Sequence, residues 1–206
     1  MSDIRRANLF GKLNSLGYKA IEGATVFCKM RGNPYVELAH WFHQILQLPD
    51  SDLHRIISHF ECDPARVARD LVESLDRLPR GASSISDLSS HIEEAVERGW
   101  VYVSLMFNAP RVRTGQRVIA LVKPRGLQNA LLSLSREFEK ISGDELTEKF
   151  AKITADSVEE QLEASEVGPA GGGAGPGDAS HALAPAAMGK HEAHEQLSND
   201  LTEAAR

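Results

Sequence analysis

Two histidine pairs stand at spacings that invite a metal. His40 and His43 lie three apart in an apolar stretch, so one helix face would carry both rings, yet no carboxylate stands at matching spacing. His191-Glu-Ala-His194 falls one residue short of the His-Glu-x-x-His zinc motif and sits in polar sequence. The first pair reads as packing and the second as a solvated charge cluster. Cys28 and Cys62 are the only cysteines and lack metal spacing, which fits a reduced, cytoplasmic chain. Nucleophilic and phosphate-binding chemistry find no residues. There is no Gly-x-Ser-x-Gly elbow, and Gly171-Gly-Gly has no Lys-Ser/Thr sequel. No catalytic, cofactor-binding or metal-ligating role is therefore expected. The densest basic cluster is Arg111, Arg113, Arg117, Lys123 and Arg125. It reads as a solvated face, with steering of an acidic partner as the alternative. Trp41 and Trp100 read as core or half-buried packing.

The 206 residues carry a net charge of -6, which argues against nucleic acid as a main partner. No run approaches the ~20 apolar residues of a membrane helix, and Met1 to Arg6 has no apolar run behind its arginines, as a secretory signal would.

Helical periodicity organises the first 160 residues. A short amphipathic helix is expected over 4–15, through Ile4, Leu9 and Leu13 with Phe10 beside the stripe. Gly17 interrupts it. A longer helix follows, carrying Ile21, Ala24 and Phe27 and stopping near Gly32-Asn33-Pro34. Helices at 35–48 and 51–60 follow, and Asp63-Pro64 opens another with an N-cap and a proline at the first helical position. Residues 81–86 read as a connection. The stretch Gly99-Trp-Val-Tyr-Val-Ser-Leu-Met-Phe107 has strand propensity.

A duplication resolves that conflict. Val36, Phe42, Ile45 and Leu46 recur as Val112, Val118, Leu121 and Val122 at a shift of 76. Each run is followed by a proline, Pro49 or Pro124, and by a second apolar stripe. Long-period repetition marks stacked units of one fold. Equivalence of the copies makes 87–107 a single helix, followed by helices at 114–122, 126–140 and 143–153. The expected fold is all-α, two pseudo-repeats of four helices at about 16–79 and 84–154 plus an extra N-terminal helix. Such a domain binds rather than catalyses. Gly168-Pro-Ala-Gly-Gly-Gly-Ala-Gly-Pro-Gly177 reads as a flexible linker.

The copies resemble the N-terminal domain of the Clp/Hsp100 AAA+ unfoldases. In that family each copy has a helix patterned roughly Ile-Thr-Pro-Glu-His-Leu-Leu-Leu-Ala-Leu-Leu. Val36 to Leu46 is similar, with His40 at the His position, while the second copy has Gln116 there. Asp200-Leu201-Thr202, then Ala205-Arg206, resembles the opening of the first ATPase module. This divides the chain into a recognition domain at 1–160, a linker at 161–195 and the start of an ATPase module at 196–206. Leu9-Phe10-Gly-Lys-Leu13-Asn, Arg31-Gly-Asn-Pro-Tyr-Val-Glu-Leu and Ser84-Ile85-Ser-Asp-Leu88 are similar to the ClpV (TssH) branch, which serves bacterial type VI secretion.

The resemblance implies a partner, an N-terminal helix of the sheath subunit VipB (TssC), recognised so that a hexameric ring can disassemble contracted sheaths. It implies ATP and Mg in the full-length protein and neither in this stretch, which alone is expected to be monomeric. The expected binding mode is a helix laid in an apolar groove, with Leu9, Phe10 and Leu13 as one wall and Ile85, Leu88 and Ile92 as the other. The alternative is the N-domain of a general Clp/Hsp100 chaperone or protease unfoldase, gripping unfolded clients or an adaptor.

Overall fold

The computed structural model describes residues 6–107 and 109–166. The order is α1 (Arg6–Phe10), α2 (Ser15–Arg31), β1 (Tyr35–Val36), α3 (Leu38–Leu46), α4 (Asp52–His59), α5 (Pro64–Asp76), β2 (Asp87–Leu88) and α6 (Ser90–Tyr102). A π-helical turn at Val103–Phe107 precedes α7 (Thr114–Val122) and α8 (Arg125–Leu134). A 3₁₀ turn at Arg136–Lys140, then α9 (Gly143–Glu148), α10 (Phe150–Ile153) and α11 (Val158–Glu166) follow. The linker and ATPase start expected at 161–206 lie outside the described residues except for the end of α11, which runs past residue 160 to Glu166.

The duplication is real and interlocked. The copies are α2 to α5 and α6 to α10. β1 pairs in parallel with β2, Tyr35 beside Asp87 and Val36 beside Leu88. The equivalent pairing in the other direction is the parallel bridge of Leu13 to Val112. There Asn14 N donates to Val112 O at 3.0 Å and Val112 N to Lys12 O at 2.7 Å. Each copy thus pairs the residues before its first helix with the residues before the other copy's second helix. One contiguous core results, through Trp41, Phe42, Ile56, Leu71, Ile92, Ile119, Leu127 and Phe138.

The second helices of the copies start alike. In α3 the Glu37 N–H donates to His40 Nδ1 at 3.0 Å, and in α7 the Arg113 N–H donates to Gln116 Oε1 at 2.9 Å. His40 and Gln116 are therefore the same capping residue, one turn inside the helix, satisfying an N-terminal donor. His40 Nε2 meets Asn33 Oδ1 at 3.0 Å, and Asn33 Nδ2 donates to Pro79 O at 2.6 Å. Both ring nitrogens of His40 are engaged, and His43 stacks on Phe27 with centroids 4.7 Å apart. Among the described residues no three His, Cys, Asp or Glu side chains gather as a metal site, and no helix is long and apolar enough to cross a membrane.

Several expectations change. The first helix ends at Phe10, because the chain turns to make the Leu13–Val112 bridge. Gly17 lies inside α2, its N–H donating to the Asn14 cap at 2.8 Å. The span 87–107 divides into β2, α6 and the π turn. The N-caps Asn14 and Ser89 align the first helices at a shift of 75, one less than the second helices.

The basic cluster is the largest correction. Arg113 and Arg117 are buried. Arg113 grips Asp52 through Nε at 2.9 Å and Nη2 at 2.7 Å, and Ser157 Oγ donates to the same carboxylate at 2.7 Å. Glu159, buried on α11, accepts from Asp52 N at 3.0 Å, Thr114 N at 2.7 Å, the Thr114 hydroxyl, and Asn14 Nδ2 at 2.6 Å. One carboxylate thus satisfies the starts of α4 and α7 and holds the cap of α2. Arg117 passes between α2 and α6, its guanidinium 4.4 Å from the Trp41 ring centre. A Cβ at Gly17 would collide with that guanidinium, and one at Gly99 would lie 3.3 Å from Arg117 Cγ. Glycine stands at both places because the arginine fills the space.

Two outcomes follow. Glu159→Ala orphans donors from two helix starts and leaves Arg113 and Arg117 short of counter-charge, so urea denaturation should register a loss of about 3–5 kcal/mol. Burial, ahead of the nearby Arg31 charge, pulls the His40 imidazole down to about 4. The unfolded chain takes up this proton as pH falls through about 6.5, and the folded chain does so only near 4. Stability is therefore lost between those values, on the order of 2–3 kcal/mol. His40→Gln, which installs the second copy's capping residue, should fold at pH 7 and show a smaller fall in urea midpoint between pH 7 and pH 4.5 than the parent chain.

Candidate functional site

The short helix α1 exists because a chain turn holds it against the bundle. Lys12 places its ammonium 4.5 Å from the Trp100 ring centre, and Arg111 Nη1 donates to Gly11 O at 3.4 Å and Leu13 O at 3.3 Å. These contacts pin the turn where α1 meets α2 and open a groove of about 400 Å³. Phe10, Gly11, Leu13, Ser15, Tyr18, Lys19, Glu22 and Arg111 line it. Phe10 and Leu13 form an apolar floor that is already nearly closed to solvent. Tyr18, 44 % exposed, supplies an aromatic wall. Lys19, Glu22 and Arg111 add charges of both signs at the rim. The groove can seat a narrow apolar ridge and orient it by charge.

Of the six residues expected to line a groove, two do so. Phe10 and Leu13 line it, and Leu9 is buried in the core behind them. Ile85 and Leu88 are not among the residues that line this groove. At the shift of 75 they are the second-copy counterparts of Phe10 and Leu13, and Leu88 pairs with Val36 as Leu13 pairs with Val112. Ile92 is fully buried on α6. Leu13 is also core, so a charge there reports on folding rather than on the groove.

Tyr18 and Arg111 were missed. Reading Gly17 as a helix break hid Tyr18, which is on the exposed side of α2 only because that helix begins at Ser15. Arg111 was legible as basic but not as the residue that braces the α1 turn. Two larger grooves also exist. One of about 660 Å³ lies among α3, α4 and α5, lined by His43, Leu46, Ile57, Leu71 and Val72. One of about 570 Å³ lies on α6 and the π turn, lined by Glu94, Glu97, Val101, Leu105 and Met106 among others.

No protein-family profile matches the chain. It is 63% identical over all 206 residues to the AAA+ ATPase ClpV1 of Pseudomonas aeruginosa. Its fold superposes with a TM-score of 0.75 on a solved chain described with the coevolution of the ATPase ClpV, the TssB-TssC sheath and the accessory HsiE protein. That match is 65% identical and covers 77% of this chain and 98% of the other. The chain belongs to the ClpV family of AAA+ ATPases. It is also 45% identical over 204 residues to the chaperone protein ClpB of Yersinia enterocolitica. The chain spans 23% and 22% of these two relatives. The same fold occurs in a complex of a ClpV N-domain with a VipB peptide, at 24% identity and a TM-score of 0.66, over 77% of this chain and 99% of that one. The all-α Clp N-domain architecture expected from the sequence is thus the observed one.

Proposed function

We propose that this chain is the substrate-recognition domain of a ClpV-type unfoldase and that the groove beside α1 receives the apolar face of an N-terminal helix of the sheath subunit VipB (TssC). The observation that carries the reading is where the groove lies. It is built at the junction of α2 with α1, the one described helix before the duplication, so it is a feature added to the two-copy framework. The complex of a related N-domain with a VipB peptide supports the choice of ligand. In helix-in-groove recognition, residues at i, i+3 or i+4 and i+7 descend into an apolar trough. Phe10 and Leu13 would meet them from below and Tyr18 from the side, while Lys19, Glu22 and Arg111 set the direction of the bound helix. The domain itself performs no chemistry. In the longer protein, ATPase modules using ATP and Mg would form a hexameric ring in the cytoplasm and pull captured subunits from contracted sheaths.

The relationship to ClpB favours a second reading, in which the same domain grips unfolded clients. Fluorescence anisotropy separates the two. A labelled N-terminal VipB/TssC peptide should bind this chain saturably, and Tyr18→Ala should weaken it about tenfold while leaving the urea midpoint near that of the parent. Absence of saturable binding to the folded chain, with binding of a permanently unfolded protein instead, would establish the second reading.

A further inference from the structure

Every described α-helix before α11 buries at least one apolar side chain, and even the short α10 buries Phe150 and Ile153. The turn into α11 and the start of that helix differ. From 156 to 163 the buried residues are Ser157 and Glu159, both polar, while Val158 and Leu162 are only half-buried. What fastens this segment is hydrogen bonds and charge. Glu159 accepts from Asp52 N, Thr114 N, the Thr114 hydroxyl and Asn14 Nδ2. Ser157 Oγ donates to Asp52 at 2.7 Å and accepts from Glu160 N at 3.1 Å, and Glu163 lies 3.2 Å from Arg113 Nη1. Val158 N donates to Asp50 O at 3.1 Å, and Arg55 Nη2 donates to Asp156 O at 3.1 Å. Asp156 itself stands at φ 60°, a left-handed conformation that residues other than glycine adopt rarely.

We propose that α11 is a releasable strap. It lifts from the seam as a unit while the bundle stays folded, and its lifting loosens the turn at Leu13 to Ser15 on which the groove beside α1 is built. Two physical facts set the order of events. A polar contact is exchanged for contacts with water at a small net loss, whereas exposing an apolar face forfeits its whole transfer free energy. Once α11 is lifted, water also reaches the starts of α4 and α7, so the donors it leaves are solvated rather than orphaned. Regions with little buried apolar surface open well below the cost of global unfolding.

Asn14 carries the effect to the groove. Its Nδ2 donates to Glu159 at 2.6 Å, its Oδ1 accepts from Gly17 N at 2.8 Å, and its N–H donates to Val112 O at 3.0 Å. Lifting α11 removes the carboxylate that orients this side chain, which is both the cap of α2 and a member of the Leu13–Val112 bridge. Leu13 and Ser15, its two neighbours, line the groove. Anything that acts on the sequence following Glu166 acts first on α11, and the groove responds through Asn14. The coupling is reciprocal, so whatever orders the groove also holds the strap closed. It does not depend on what the groove receives.

Residue-resolved hydrogen exchange by NMR on the 206-residue chain tests the proposal. The amides of α11 should exchange at least tenfold faster than those of α5 and α8. Gln161 is the position to vary, because it is exposed within α11 and lies outside the seam. Gln161→Gly lowers the helix propensity of α11 alone and should speed exchange about threefold, in α11 and at the Asp52, Thr114, Asn14 and Gly17 amides together. Gln161→Ala should slow the same set about twofold. Amides of α5 and α8 should not respond to either change. Exchange in α11 no faster than in α5 and α8 would show that α11 opens only with the bundle. Asn14 and Gly17 amides indifferent to both substitutions would show that α11 opens without loosening the turn. Either result overturns the proposal.

Discussion

The structure turns on one buried carboxylate. Glu159 reaches from α11 into the seam between the two copies and accepts hydrogen bonds from the starts of α4 and α7 and from the cap of α2. Beside it, Asp52 and Arg113 form a two-pronged pair, and Arg117 lies over Trp41 with neither terminal nitrogen hydrogen-bonded among the described residues. Two buried acids face two buried arginines there, and the partly exposed Glu163 adds a third carboxylate 3.2 Å from Arg113 Nη1. Burial and the Glu159 charge push the Asp52 carboxyl up to about 6, against the pull of Arg113. Burial brings the Arg117 guanidinium down to about 10. Such a cluster is tolerable only when complete, because any member left alone would be an unpaired charge in a low-dielectric interior.

The groove inherits its position from that seam. Asn14 links Glu159 to the Leu13–Val112 bridge, and the bridge sets where the chain turns back toward α1. Arg117 requires Gly17 and Gly99 bare, which sets how closely α2 and α6 approach. Tyr18 follows Gly17 directly, so the wall of the groove stands one residue from the buried arginine. A contribution that looks purely structural thereby places the groove proposed for the sheath helix on the outside of the bundle.

What could be read in the sequence was what depends on local period. The second helices of the copies, the Asp63-Pro64 start and the equivalence of His40 with Gln116 all follow from spacing within one turn or from the long repeat. What could not be read depends on partners far away in the chain. Arg113 and Arg117 look like surface residues because their burial is made acceptable by Asp52 and Glu159, 61 residues from Arg113 in the first case. Glu159 lies in a Glu-rich run that resembles the edge of a linker, so nothing local distinguished it from its exposed neighbours. Ile85 and Leu88 were legible as apolar residues ahead of a helix. The pairing of Leu88 with Val36 of β1 is a consequence of how the copies interlock. The strand propensity of 99–107 was overridden by the repeat, yet the π turn at Val103–Phe107 shows the second copy departing from regular helix there.

Helix α1 is proposed to create the groove that receives the sheath peptide. Backbone amide shift mapping by NMR, with an unlabelled N-terminal VipB/TssC peptide titrated into the labelled chain, tests it most directly. Saturating perturbations concentrated at Phe10 to Glu22 and at Arg111 are expected. Perturbations concentrated instead along His43 to Val72, or along Glu94 to Met106, would place the peptide in a different groove and contradict it.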